Sequence, residues 1–250
     1  MHPPTALAVI LVAGVGSRLR PLTDDRPKAL VDIGGETILL RALRLLAQHG
    51  VKRVVLATGY REDAIRHALA NSPLPVEYCH NPDFDRTQNS VSLALCRASL
   101  EKQSFFKLDG DVVFQPDVLT RLDQAESDLA VAIDSRRERD AEAMKVALHL
   151  GRIAAFGKGL PLAESAGETI GIERVGAACS EALFPALDQA RAAGRTDLYY
   201  EDVYSELVRQ GVVEACAVEV GDLGWTEVDD FIDLERARRL VAAPANGPTQ

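Results

Sequence analysis

The first stretch of the chain with chemical potential joins an apolar segment, a glycine-rich turn and two basic residues. Ala6–Ala13 is followed at once by Gly14-Val-Gly-Ser-Arg-Leu19, and Arg26-Pro-Lys28 stands a few residues later. Glycine lets backbone N–H groups approach phosphate oxygens, and Arg and Lys neutralise their charge. This order of residues predicts an anion cradle, and a triphosphate is the ligand that suits it best.

Dinucleotide-binding folds use a similar glycine turn, but two departures argue against that interpretation. Leu19 stands where G-x-G-x-x-G requires its third glycine, and the chain continues as a loop through Pro21 and Pro27 instead of entering a helix. The pattern G-x-x-x-x-G-K-[ST] of P-loop proteins is also absent from the sequence. A glycine turn flanked by solvated Arg18 and Lys28 is the alternative that requires no ligand.

Two carboxylates, Asp109 and Asp111, follow the short apolar segment Phe105–Leu108. Ligands of parallel sheets bind at the carboxyl ends of the strands, and Mg²⁺ is commonly shared between one or two carboxylates and substrate phosphates. A turn residue followed by a helix cap would explain these acids if they stood alone. Beside a phosphate loop, metal binding is favoured, and we expect Asp111 rather than Asp109 to be the ligand.

A second acidic group, Trp225-Thr-Glu-Val-Asp-Asp230, precedes the last predicted helix. Asp230 suits the role of helix cap. The remaining carboxylates would repel one another unless a cation binds between them. We therefore predict Asp229 as a metal ligand and keep Glu227 as a second choice.

The segment 11–30 resembles the signature of nucleotidyltransferases that join a nucleoside triphosphate to a phosphorylated acceptor. Their pattern is an apolar strand, A-A-G-x-G-[ST]-R-[LM], a short loop and P-K-x-[LM]; here the chain has VAGVGSRL from residue 12 and PKAL from residue 27. The resemblance implies that Arg18 and Lys28 are catalytic residues that contact the phosphate oxygens. The nucleotide-binding residues implied in this loop are Val12, Ala13, Gly14, Gly16 and Ser17.

Further segments resemble one branch of that class, the bacterial CTP:phosphocholine cytidylyltransferases. Residues 225–230 are similar to their W-x-E-[VI]-D-[DS] motif, in which an acid after the Trp completes the metal site. The segment that starts at Asn89 is similar to their N-x-x-S-L stretch, which implies that Asn89 and Ser92 lie near the nucleotide. Lys145 falls in a segment similar to M-K-V and would contact the acceptor phosphate or the α-phosphate.

The cluster Tyr199, Tyr200, Glu201 and Asp202 has two interpretations. Aromatic rings and carboxylates can hold the ammonium group of an acceptor by cation–π and charge contacts. Alternatively, a tyrosine packs in the core, and the two acids begin a helix where they interact favourably with its dipole. Both interpretations stay open at this point, and the four residues are candidates for acceptor binding.

Strand-like and helix-like segments alternate through the first half and become more mixed in the second. The predicted strands are Ala6–Ala13, Val54–Thr58, Phe105–Leu108, Leu129–Ile133, Lys145–His149, Arg152–Phe156 and one near Val213–Val220. The predicted helices are Ile38–Gln48, Glu62–Leu69, Ser90–Ser99, Ser180–Ala192, Glu201–Gln210 and Asp230–Leu240. The alternation predicts an α/β fold with a Rossmann-like, mostly parallel central sheet and helices on both faces. The resemblance implies the GT-A-like form of that fold. No linker rich in Pro, Gly or Ser divides the chain, so we predict residues 1–241 as one domain, and the small, polar, proline-containing segment 242–250 as a flexible tail.

Composition limits the partners of the chain. Its 250 residues are 47% hydrophobic and 26% charged, as in ordinary globular proteins. The net charge of −9 argues against a general binder of nucleic acids or anionic membranes, which needs an excess of Lys and Arg. The run Ala6–Ala13 is too short to cross a bilayer, and the N-terminus has no signal-peptide pattern. We expect a cytoplasmic protein without nucleic-acid or membrane partners, and the sequence does not predict its oligomeric state.

The resemblance implies Mg²⁺-dependent transfer of a nucleotidyl group, with CTP as the first choice of donor, and release of pyrophosphate. The first choice of acceptor is phosphocholine. The alternatives are 2-aminoethylphosphonate, phosphoethanolamine and a sugar or inositol phosphate. Two other classes stay open: a metal-dependent glycosyltransferase that uses Asp109 and Asp111 as a D-x-D motif, and a nucleotide sensor without catalytic activity.

Overall fold

Eleven strands and eight helices are assigned in the computed structural model, which describes residues 4–139 and 141–242. The strands are β1 Leu7–Val12, β2 Arg53–Thr58, β3 Val76–His80, β4 Phe105–Asp109, β5 Val112–Phe114, β6 Leu129–Asp134, β7 Lys145–His149, β8 Arg152–Gly157, β9 Gly167–Val175, β10 Ala215–Glu219 and β11 Trp225–Glu227. The helices are α1 Ile38–His49, α2 Glu62–Ala68, α3 Asn89–Ala94, α4 Arg97–Leu100, α5 Asp117–Gln124, α6 Ala177–Ala192, α7 Tyr200–Arg209 and α8 Phe231–Ala242. Residues 243–250 of the predicted tail lie outside the described residues.

The central sheet has the strand order β10-β6-β9-β4-β1-β2-β3, with the β7–β8 hairpin attached to β9. Neighbouring strands are parallel except around β9, which runs antiparallel to β4 and β6. The predicted α/β class and mostly parallel sheet are therefore confirmed. The antiparallel strand β9 was not predicted from the sequence.

Strand β1 shows why its segment is apolar throughout. Ala8, Ile10 and Val12 pack in one core cluster with α1, α2 and α5, whereas Leu7 and Val9 pack in another with α3, α6 and α7. Successive side chains of a strand point to opposite faces of the sheet, so a strand covered by helices on both faces is apolar at every position.

The predicted helix Ser90–Ser99 is interrupted in the structure. Helix α3 ends at Ala94 and a short second helix begins at Arg97. The Cys96 N–H donates to the Leu93 carbonyl three residues earlier, which tightens the chain into a turn between the two helices.

No helix within residues 4–139 and 141–242 has the length and apolar character needed to cross a membrane.

Candidate active site

An open cleft of about 660 Å³ lies at the carboxyl ends of β1 and β4. This is the edge at which ligands bind in parallel α/β sheets. Ala13, Gly14 and Arg18 line it from the glycine loop, and Asn89 and Ser92 line it from α3. The cleft is also lined by residues from the second half of the sequence, which we call its second-half wall. They include Arg137, Lys158, Glu168, Tyr199, Glu201 and Trp225.

The glycine loop is built to close over Lys28. Gly16 has a φ of +72°, and a Cβ at this position would lie 2.6 Å from the Lys28 Cβ. Only glycine combines this backbone conformation with such close contact. The Thr23 hydroxyl donates to the Gly16 carbonyl at 2.8 Å and fixes the loop. These contacts explain why the glycine turn and the lysine are parts of one motif.

Lys28 brings together acids that are far apart in the sequence. Its ammonium lies 2.6 Å from Asp111 Oδ2 and 2.8 Å from Asp229 Oδ1, and Arg18 lies 2.9 Å from the other oxygen of Asp229. Burial alone would lower the pKa of Lys28, but the two carboxylates raise it above its usual range. The ammonium is therefore charged at neutral pH.

Pairing of two very short strands produces this meeting of residues 111 and 229. β5 and β11 are antiparallel, with Val112 opposite Glu227, and the Val228 N–H donates to the Asp111 carbonyl at 2.9 Å. Asp230 follows as the predicted cap of α8: its Oδ1 accepts hydrogen bonds from the N–H groups of Ile232 and Asp233. The backbone therefore fixes the acidic motif on both sides.

The three predicted metal ligands form one cluster. Carboxylate oxygens of Asp111, Glu227 and Asp229 lie within 4.8 Å of one another. Asp111 Oδ1 is buried without a hydrogen-bond partner in the described part of the chain. Partial desolvation and the charges of Asp111 and Asp229 raise the pKa of Glu227 to about 8, although its side chain is exposed. Hard oxygen donors, an unpartnered buried oxygen and mutual repulsion fit a divalent cation such as Mg²⁺.

The loop and α3 residues predicted to bind nucleotide differ in how they face the cleft. Asn89 accepts a hydrogen bond from the Tyr200 N–H at 3.0 Å, and Ser92 accepts one from the Asn81 amide at 3.0 Å. Val12 is buried in the core and Ser17 is exposed, and neither side chain lines the cleft.

The placement of Lys145 does not match its predicted role. Its side chain is only 2% exposed, and its ammonium donates to the carbonyls of Ala143 at 3.1 Å and Lys158 at 2.6 Å. The register of the β7–β8 hairpin places Lys145 opposite Gly157, so the ammonium reaches these strand-end carbonyls instead of the cleft. Lys158 lines the cleft in its place, 5.0 Å from the centre of the Tyr199 ring.

The cluster at residues 199–202 divides between the two interpretations. Asp202 caps α7 by accepting the Tyr199 N–H at 2.8 Å, and Tyr200 is completely buried. These two placements correct the expectation that all four residues face an acceptor. Tyr199 and Glu201 do line the cleft. Burial raises the pKa of Glu201 to about 8, and its Oε2 is buried without a hydrogen-bond partner among the described residues.

The structure contains a buried lysine beneath the cleft that was not identified from the sequence. Lys107 lies 3.1 Å from Asp109 Oδ1 and 3.0 Å from Glu173 Oε2, and 3.6 Å from the centre of the Tyr200 ring. Its side chain has no solvent exposure. The available signal was a lysine inside the otherwise apolar strand FFKL, because lysine is almost never fully buried unless it is paired.

A glycine loop, a paired lysine and a carboxylate cluster thus lie together at one edge of a mostly parallel sheet. Residues 8–207 match the MobA-like NTP transferase domain. The chain belongs to this family.

Two characterised relatives extend over nearly the whole chain. The CMP-5'-(3-aminopropyl)phosphonate synthase of Streptomyces rubellomurinus is 34% identical over 253 residues, which cover 95% of this chain and 39% of that protein. The CTP:phosphoglutamine cytidylyltransferase of Campylobacter jejuni is 30% identical over 254 residues, which cover 91% of this chain and 97% of the relative. The chain thus spans well under half the length of the first relative.

The fold is also similar to that of a solved cytidylyltransferase. The CTP:phosphocholine cytidylyltransferase from Streptococcus pneumoniae superimposes with a TM-score of 0.74 at 19% identity, over 94% of this chain and 99% of the other. At this identity the likeness establishes the shared fold alone.

Proposed function

We propose that this chain transfers a cytidylyl group from CTP to a small acceptor that carries a phosphate or phosphonate group, with release of pyrophosphate. The observation that carries the proposal is the Lys28 ammonium between Asp111 and Asp229, directly under the glycine loop. The proposed reaction needs a cation for the phosphates and carboxylates for a metal ion at one point, and these side chains are of the required kinds. Both relatives are named for a cytidine nucleotide and a phosphorus-containing acceptor, which supports CTP as the donor.

The reaction needs alignment and charge neutralisation more than a strong base. An oxygen of the acceptor's phosphate or phosphonate attacks the α-phosphorus of CTP, a new P–O bond forms, and the bond to the β-phosphate oxygen breaks. The attacking oxygen of the acceptor is already ionised at neutral pH. Arg18 and Lys28 stabilise the negative charge that collects on the departing pyrophosphate.

Asp111 and Asp229, with Glu227 beside them, are the residues that would hold Mg²⁺. A bound Mg²⁺ ion would supply positive charge to the phosphate oxygens. Lys28 now neutralises the two aspartates. Phosphates that enter under the glycine loop would offer its ammonium a second set of anionic partners.

The charges below the second-half wall support an acceptor with a cationic nitrogen, such as phosphocholine or an aminoalkylphosphonate. Asp109, Glu173 and Glu201 are three carboxylates around the single ammonium of Lys107; Glu173 and Glu201 are buried, and Asp109 is partly exposed at the cleft. Glu201 belongs to this group of carboxylates, and it lines the cleft together with Tyr199. A cationic acceptor group beside them would gain charge and cation–π contacts.

The test measures pyrophosphate release in the presence of Mg²⁺ while four nucleotides are crossed with several acceptors. The nucleotides are CTP, UTP, ATP and GTP; the acceptors are phosphocholine, 2-aminoethylphosphonate, phosphoethanolamine and glucose 1-phosphate. We expect release with CTP and with acceptors that contain a cationic nitrogen. If no combination releases pyrophosphate, although the protein is folded and binds nucleotide, the proposal is contradicted. A preference for glucose 1-phosphate would overturn only the acceptor class. A D-x-D glycosyltransferase would release no pyrophosphate.

A further inference from the structure

The carboxylate of Asp109 is held from below by residues that do not themselves line the cleft. One oxygen lies 3.1 Å from the Lys107 ammonium, and the other accepts a hydrogen bond from the Tyr200 hydroxyl at 2.9 Å. Gly171, with a φ of +72°, leaves room for it: a Cβ there would lie 2.5 Å from Asp109 Oδ2. Asp109 is therefore fixed in position, although its side chain borders the cleft.

Lys107 is held as firmly as the carboxylate that it supports. The β4–β9 register places it directly opposite Glu173, whose Oε2 lies 3.0 Å from the ammonium. The Gly171 carbonyl accepts a hydrogen bond from it at 3.3 Å, and the Tyr200 ring lies against it at 3.6 Å. A buried ion pair is kept only when its charges and protons find such partners.

Tyr200 connects this buried group to the residues that face ligands. It is the first residue of α7, and the cleft-lining Tyr199 and Glu201 are its neighbours on either side. Its N–H donates to the Asn89 side chain at 3.0 Å, and its hydroxyl donates to Asp109. A single tyrosine thus joins the start of α7, the start of α3 and the end of β4.

We propose that Tyr200 and Lys107 are positioning residues for nucleotidyl transfer. They hold Asp109, and through Gly110 they hold Asp111, in the geometry that the reaction requires. Because Tyr200 belongs to α7, its hydrogen bond also makes that geometry depend on the position of α7 at the second-half wall. The inference rests on the proposed function and adds to it two residues that act from beneath the cleft.

Tyr204 provides a matched control for Tyr200. It lies one helical turn further along α7, is also completely buried, and its ring centre is 5.5 Å from that of Tyr200. Its hydroxyl has no hydrogen-bond partner within residues 4–139 and 141–242. Tyr200→Phe and Tyr204→Phe each remove one buried phenolic oxygen and keep the ring, but only the first frees Asp109.

We expect Tyr200→Phe to lower kcat by about 10–100-fold, with the KM for CTP changed by less than about twofold. Tyr204→Phe should keep the kcat of the wild-type protein. Circular dichroism and thermal unfolding of both variants establish that each is folded. Equal kcat in the two folded variants would overturn the proposal, and so would a loss in Tyr200→Phe that appears only as a raised KM for CTP.

A second readout does not depend on turnover. Mn²⁺ is titrated calorimetrically into each variant in the presence of a CTP analogue that cannot be cleaved. A loosened Asp109-Gly110-Asp111 turn should weaken Mn²⁺ binding by about tenfold in Tyr200→Phe, and Tyr204→Phe should match the wild-type protein. Equal affinities would overturn the positioning role even if the wild-type enzyme showed no activity, whereas absence of wild-type activity alone would count against the proposed function.

Discussion

Two lysines of this protein each lie between two carboxylates, and their surroundings differ. Lys28 lies 2.6 and 2.8 Å from Asp111 and Asp229, and its side chain is 16% exposed. Lys107 lies 3.1 and 3.0 Å from Asp109 and Glu173 with no exposure at all. The ammonium of Lys28 can exchange its partners for a ligand that enters from solvent. The ammonium of Lys107 has no access to such a ligand.

Burial therefore separates an ion cluster that can exchange partners from one that is fixed, although the pairing is nearly the same. A charge left without its partner in the interior carries its full desolvation cost, whereas a charge near solvent is screened. Only Gly110 separates Asp109 from Asp111, so one turn of the chain joins the fixed cluster to the exchangeable one. The fixed cluster can thus serve as the base on which the cleft is built.

The same substitution at both lysines should separate the clusters most strongly in stability. Lys107→Met leaves the buried Glu173 and the partly buried Asp109 without their cation, and we expect the free energy of unfolding to fall by about 3–5 kcal/mol. Lys28→Met should lower it by less, because its two carboxylates are partly exposed and Arg18 stays paired with Asp229. Urea unfolding of the two variants measures both values. Similar losses at the two positions would contradict the distinction between the clusters.

We expect the substitution of Lys28 to change the activity much more than the stability. Lys28→Met removes the cation closest to the glycine loop, and we expect kcat to fall by about 10²–10³-fold while the fold is retained. Steady-state pyrophosphate release measures the effect. Lys52→Met, at an exposed lysine away from the cleft, is the control and should keep full activity. Substantial turnover in Lys28→Met would remove Lys28 from the catalytic residues.

The buried cluster should also make stability depend on pH. Burial raises the pKa of Glu201 to about 8 and that of Glu173 to about 7, whereas an ordinary glutamate titrates near 4.5. Between these values the folded protein binds more protons than the unfolded chain, so the free energy of unfolding should fall as the pH rises from about 4.5 to 8.

Glu201→Gln should reduce that slope, because one of the groups responsible is gone. The exposed Glu164→Gln should leave it unchanged. Chemical unfolding at a series of pH values measures the slopes. Identical pH profiles for the wild-type protein and Glu201→Gln would show that Glu201 does not titrate as its burial indicates.

A smaller effect is expected on metal binding without nucleotide. Lys28 occupies the space between Asp111 and Asp229 and competes with a divalent cation. Lys28→Met should therefore raise the affinity of the nucleotide-free protein for Mn²⁺ by about fivefold, equivalent to the roughly 1 kcal/mol of a solvent-accessible ion pair. Calorimetric titration with Lys52→Met as control tests this, and a weakened affinity would contradict the competition.

The sequence predicted the parts of this arrangement that depend on local patterns. The apolar run of β1, the glycine turn and the acids at the end of β4 follow from strand periodicity and the chemistry of their residue types. The meeting of Asp111 with Asp229 was expected only by resemblance. It depends on β5 and β11, which have three residues each and carry too little periodicity to be recognised.

The remaining differences arise from long-range register. Whether Lys145 reaches the cleft depends on the pairing of β7 with β8, and the burial of Tyr200 depends on how α7 packs against β4 and β9. Lys107 and Glu173 are 66 positions apart and become neighbours only through the antiparallel strand β9, which was not predicted. None of these relations leaves a local trace in the sequence.

The most direct test of the central claim follows the atoms of the product by ³¹P NMR. Wild-type protein, Mg²⁺ and CTP are incubated with an acceptor whose phosphate or phosphonate oxygens carry ¹⁸O. We expect two coupled phosphorus signals from a CMP–acceptor conjugate whose bridging oxygen bears the label. Formation of free CMP without the conjugate, or a bridge that lacks the label, would contradict nucleotidyl transfer to the acceptor's oxygen.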